Sequence, residues 1–139
     1  MLTEARRRIQ ADSDLKSNSK GTRLDLVRLD VANIPMQTDS VNALHAGAAM
    51  HCWPDIDSGL AEIYRVLKPG GRFFASTFLS EYFRIVKSAE SENNVMSQSF
   101  QYFESTDVLK EMVLKAGFNE ENVSIEVLGS ACVIIRCEK

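Results

Sequence analysis

A chain of 139 residues with 45% hydrophobic and 25% charged residues has the composition of one globular domain with its own core, which excludes disordered and fibrous classes. A net charge of -3 and an isoelectric point near 5.4 exclude a general attraction to phosphate backbones, so no nucleic-acid partner is expected. The three cysteines, Cys52, Cys132 and Cys137, are odd in number and lack CxxC spacing, which argues against a disulfide framework or a structural zinc and for a reducing compartment.

Leu2, Ala5 and Ile9 stand at helical spacing and predict a short amphipathic helix over 2–11. Arg6, Arg7 and Arg8 point in different directions on such a helix and form a solvated basic face rather than a phosphate site. A polar loop over 12–23 leads to Leu24–Leu29, where apolar and polar residues alternate as in a strand. The connection Asp30–Ser40 contains a proline and precedes a second short strand, Val41–Ala46. His45 alternates within that strand as a packing residue.

Asp55 is the expected N-cap of a helix striped by Leu60, Ile63, Tyr64 and Leu67, which Lys68, Pro69, Gly70 and Gly71 stop. Phe73–Phe78 reads as a strand buried on both faces. Leu79, Tyr82, Phe83 and Val86 repeat the helical spacing before a polar loop over 88–99. A longer helix follows, capped near Ser105 or Thr106, striped by Leu109, Met112, Val113 and Ala116 and ended by Gly117. Val123–Leu128 and Ala131–Cys137, joined at Gly129 and Ser130, form an antiparallel hairpin. This alternation is that of an α/β layered domain. No apolar run reaches the ~20 residues that span a bilayer, so no membrane span is expected.

Three segments carry a family resemblance: LVRLDVANIPMQTDSVNALHAG, HAGAAMHCWPD and LAEIYRVLKPGGRFF. In them the chain resembles the class I S-adenosylmethionine-dependent methyltransferases, specifically the type 11 group that includes the ubiquinone and menaquinone C-methyltransferases. The second segment is similar to a plant plastid-type branch. The match is close from Leu24 to Phe78 and looser to the C-terminus. It implies one partial methyltransferase domain over 1–139: a helix and loop over 1–23, the best-matched core over 24–78, and C-terminal helices and hairpin over 79–139. The implied fold is a partial Rossmann-like sheet, mostly parallel, with a C-terminal antiparallel hairpin.

The resemblance also implies S-adenosyl-L-methionine as cofactor and methyl transfer to a small-molecule acceptor. By it, Asp30 would accept a hydrogen bond from the adenine amino group and the backbone of Val31 would meet the ring edge, at the place where open α/β sheets bind ligands. A turn acid is the alternative for Asp30. Ala46 and Gly47 would pass close to the methionine part of the cofactor, or else serve tight packing where the strand ends. His51, Cys52 and Trp53 would lie beside the transferred methyl, where an imidazole orients or deprotonates an acceptor and an indole flanks the sulfonium. The alternative for His51 and Trp53 is packing near a helix start. No metal site is expected, and no GxGxxG, P-loop, HExxH or GxSxG pattern occurs.

The family's core begins with a strand, a glycine-rich loop and a second strand ending in a ribose-binding acid, and the chain is expected to start after them. Loss of two charge-assisted hydrogen bonds, at roughly 1.5–3 kcal/mol each, weakens cofactor binding by about two to four orders of magnitude. The strand at 41–46 is then left with an unpaired edge open to self-association, or Leu24–Leu29 takes the vacant place. A non-catalytic remnant or interaction module using that edge is the alternative function. The acceptor pocket falls to variable loops such as 80–104. The plastid-type resemblance makes plastid or cytoplasm the expected compartment.

Overall fold

The computed structural model of the chain describes residues 2–12, 25–81, 101, 103–129 and 132–139. Helix α1 spans Leu2–Ala11, strand β1 Val41–Ala46, helix α2 Ile56–Val66, strand β2 Leu67–Phe78, helix α3 Thr106–Lys115, strand β3 Val123–Leu128 and strand β4 Cys132–Glu138. Single 3-10 turns at Met50–Cys52 and Glu120–Asn122 precede α2 and β3. The expected loop over 12–23 beyond Asp12, the helix begun at Leu79 beyond Glu81, and the polar loop over 88–99 lie outside the described residues.

The four strands form one sheet in the order β1-β2-β4-β3. β1 runs parallel to β2, whereas β4 lies antiparallel to both β2 and β3. The C-terminal hairpin is as expected, but among the described residues the sheet is mixed rather than mostly parallel. Leu24 lies outside the described residues, and over the rest of the expected Leu24–Leu29 strand no strand forms: residues 25–29 have no regular structure, and Val27 and Leu29 are 58% and 43% exposed. A strand is made by its neighbour, and the described residues offer this segment none. Its alternation therefore has no ladder to join. β1 keeps β2 on one side and no described strand on the other.

One sheet face is covered. Leu44, Ala46, Phe73, Ala75, Val133, Ile135, Cys137 and Ile125 pack there with Leu60, Ile63 and Val66 of α2 and Leu109 and Val113 of α3. Desolvation at that depth pushes the Cys137 thiol up to about 12. The opposite face carries His45, Phe74 and Arg136, whose rings and guanidinium stack in one row across β1, β2 and β4.

The helix caps form as read: Asp55 accepts from the Ser58 N–H at 3.0 Å and Ser105 from the Val108 N–H at 3.4 Å. α2 ends at Val66, however, and Leu67, expected on its stripe, is already the first residue of β2. Between the pairs Val41↔Leu67 and Ala43↔Arg72 the Lys68–Gly71 segment bulges from the ladder. Gly70 takes φ +73° with open space around it, and a Cβ on Gly71 would stand 2.8 Å from the Lys68 carbonyl oxygen, so a side chain is strained at the first position and collides with backbone at the second.

Gly117 ends α3 at φ +118°, and a Cβ there would sit 2.8 Å from the Tyr64 ring. Gly117→Ala is expected to cost about 1–3 kcal/mol, because left-handed strain and a steric clash coincide. Gly129→Ala, at φ +67° with open space around it, should cost only about 1 kcal/mol. Urea unfolding at constant m checks the order, and equal losses would mean that the Tyr64 ring simply moves aside.

Candidate functional site

The loop between residue 25 and β1 makes a tight turn at Asp30–Asn33. The Asn33 N–H donates to the Asp30 carbonyl at 3.1 Å, and Asp30 Oδ1 accepts from the Ala32 N–H at 3.0 Å. This is the Asx arrangement that short acids favour in turns. It leaves the carboxylate at the surface and turns the half-buried Val31 side chain toward α2. There Val31 Cγ1 and the Trp53 ring close over Gly59: a Cβ on that glycine would meet the indole at 3.0 Å and the valine at 3.4 Å. Gly59 is what lets the ring lie against the helix.

Arg28, Leu29, Asp30, Val31, Trp53 and Pro54 line an open cleft of about 690 Å³. One carboxylate, one guanidinium and an apolar wall of valine, leucine and indole therefore converge on one place. Of the residues singled out from sequence, Asp30, Val31 and Trp53 share this cleft, while Ala46, Gly47, His51 and Cys52 do not line it. Ala46 and Gly47 follow the end of β1, and a Cβ on Gly47 would meet the His45 ring at 3.2 Å. The next residue, Ala48, adopts φ +48°, and its N–H donates to Ser76 Oγ at 2.9 Å, tying the end of β1 to β2.

His51 points inward. It is 6% exposed, its Nδ1 lies 3.3 Å from Thr77 Oγ1, and its ring packs against Phe78 at 5.5 Å between centroids. Of the two readings of this residue, burial supports packing over a base. Burial also pushes the imidazole below its ordinary value, so the neutral form fills the site. Cys52 is exposed, and desolvation by its neighbours raises its thiol, so it is not activated as a thiolate. Among the described residues no cluster of His, Cys, Asp and Glu is fit to hold a metal, and no helix is long and apolar enough to cross a membrane.

Two residues escaped the sequence reading. Glu62 Oε2 accepts from the Ile34 N–H at 2.9 Å. Arg65 donates to the carbonyls of Ile34 and Met36 at 3.0 and 2.9 Å and to Thr38 Oγ1 at 3.3 Å. The pair also bond each other at 2.6 and 2.8 Å. Their i,i+3 spacing signals an ion pair, but nothing in the sequence signals that it faces the loop.

Residues 1–75 match a family described as a methyltransferase domain. An uncharacterized chloroplastic methyltransferase of Arabidopsis thaliana is 58% identical over 57 residues, which is 41% of this chain and 16% of that protein. The demethylmenaquinone methyltransferase of Symbiobacterium thermophilum is 29% identical over 159 aligned positions, covering 96% of this chain and 60% of its own length. The chain thus spans less than two thirds of these relatives. A solved S-adenosylmethionine-dependent methyltransferase of Thermotoga maritima shares the fold, with a TM-score of 0.65 at 23% identity over 78% of this chain and 61% of the other.

The lowered His51 value has a definite sign in stability. On acidification the unfolded chain takes up this proton first, so stability is full above the ordinary value of 6.5 and falls as pH drops below it. The urea midpoint is expected to decline from about pH 7.5 to about pH 5.5. His51→Gln should flatten that decline, and an unchanged slope would assign it to other groups.

Proposed function

The chain belongs to the class I S-adenosylmethionine-dependent methyltransferases of type 11, and from that premise we propose that its cleft receives the adenosine end of S-adenosyl-L-methionine for methyl transfer to a small-molecule acceptor. The observation that carries this reading is the convergence of Asp30, Val31 and Trp53 on one cleft. The residues fit the group: an exposed carboxylate suits an exocyclic amine, and Val31, Leu29 and the indole suit the flat apolar faces of a purine. When bound, the cofactor supplies a sulfonium, already a good leaving group, so the protein's task is to position the acceptor in line with it.

Each residue then has a part. Asp30 orients the adenine amino group, and Val31 meets the ring edge. Trp53, held against Gly59, supplies an apolar wall of the cleft. Ala46 and Gly47 keep that strand end small where the methionine part would pass. Cys52, beside Trp53, stands next to the acceptor. His51 braces this region from behind through Thr77, and it becomes the proton acceptor only if the acceptor must lose a proton and the 50–53 turn rotates outward. The chloroplastic relatives favour a plastid.

A second reading rests on β1, which has a described partner on one side only: a non-catalytic module that adds a strand, or a second copy, at that edge. Calorimetric titration of the folded chain with S-adenosylhomocysteine separates the two. The expected result is binding that Asp30→Ala weakens by about ten- to a hundredfold, the loss of one hydrogen bond to a charged group. No heat from folded protein would give the lead to the second reading, and sedimentation across a concentration series would then seek the self-association.

A further inference from the structure

The cleft is only as well defined as the loop that carries Asp30, and that loop contributes little order of its own. Its residues are exposed from Pro35 to Ser40, and only Ile34, at 7% exposure, and the half-buried Val31 reach the core. Its course is fixed from outside, by the polar edge of α2. We propose that Glu62 and Arg65 are positioning residues for the cofactor, a clamp that sets the place of Asp30 and Val31 and hence the affinity of the cleft. This rests on the reading of that cleft as the adenosine site.

The geometry is specific. The Glu62 carboxylate accepts the Ile34 N–H with the same oxygen that receives Arg65 Nη2. The guanidinium then spends Nη2 on the Ile34 carbonyl and Nη1 on the Met36 carbonyl and the Thr38 hydroxyl. Three positions of the loop, two residues apart, are thereby gripped by one planar group. Lysine, with a single nitrogen, cannot span them.

The end of the same helix continues the grip, as the Arg65 and Val66 carbonyls accept the N–H groups of Asp39 and Ser40 at 3.0 and 2.9 Å. Upstream of Ile34 the Asx turn closes directly onto Asp30. The path from α2 to the proposed adenine-binding carboxylate is therefore short and bonded throughout. Pairing with Arg65 holds the Glu62 carboxyl below the usual carboxylate range, so the clamp is charged at neutral pH.

The test uses the full chain and four variants: Glu62→Ala, Glu62→Gln, Arg65→Lys and, as a control, Gly129→Ala in the distant hairpin. Two readouts are taken, amide hydrogen exchange across residues 30–40 and calorimetric affinity for S-adenosylhomocysteine. Glu62→Ala and Arg65→Lys are expected to speed exchange at Ile34, whose N–H bonds Glu62, and at Met36, whose N–H bonds the Ile34 carbonyl that Arg65 holds, and to weaken binding about ten- to a hundredfold, the scale of a small misplacement of a contact group. Glu62→Gln keeps an acceptor for the Ile34 N–H and should recover most of the loss, even if the more severe variants fail to fold. Gly129→Ala, though less stable, should bind as the parent does.

Unchanged exchange in the loop overturns the inference. Faster exchange with unchanged affinity overturns it too, leaving the adenosine reading intact. Absence of binding by the folded parent chain overturns both together.

Discussion

The C-terminal end of α2 must satisfy its last carbonyls while the chain turns directly into a strand, and most of the molecule is organised around how it does so. A helix leaves its final C=O groups without intrahelical donors, and here each finds a partner from another segment or from the junction itself. The Ile63 carbonyl takes the Leu67 N–H. The Arg65 and Val66 carbonyls take the loop before β1. The Tyr64 and Leu67 carbonyls take the Lys139 ammonium, both at 2.8 Å. That ammonium also bonds Asp39 at 2.7 Å and lies 4.6 Å from the centre of the Tyr64 ring. One helix end thus gathers the cleft loop, the bulged turn of β2 and Lys139, the residue that follows β4, and buries Val66 and Leu67 completely beneath them.

This arrangement links stability to the site. The interior stripe of α2 is held by apolar burial, its end by charge-assisted bonds, and its polar edge by the clamp on the loop. The same helix that supplies Leu60 and Ile63 to the core therefore also fixes where Asp30 stands. Its first turn carries Gly59, against which Trp53 rests, so both walls of the cleft are referred to one rigid element, the condition under which a binding geometry is reproducible.

What could be read from the sequence follows the range of the interactions involved. The stripes Leu60–Ile63 and Leu109–Val113, the caps Asp55 and Ser105 and the hairpin around Gly129 are local patterns, and each formed where expected. Leu24–Leu29 had an equally local pattern but needed a distant neighbour, and the alternation alone could not supply it. The site divides the same way. Family wording pointed to Asp30, Val31 and Trp53, which do share a cleft, while the inward turn of His51 depends on Thr77, 26 residues away. Glu62 and Arg65 were invisible because a polar helix face reads as solvent-facing, and their loop partners lie 28 and 31 residues back in the chain.

Nearly all of what the clamp touches is main chain, and that has a consequence for how such a loop can change over time. Pro35, Met36 and Gln37 present their side chains to solvent, and two of the three loop residues that Arg65 reaches are held by a carbonyl that any amino acid supplies. Side-chain identity along this stretch is therefore free to drift under neutral substitution with little effect on where the turn at Asp30 sits. Loop length is not free, since a single insertion or deletion between Ile34 and Ser40 would carry each carbonyl past the nitrogen that meets it.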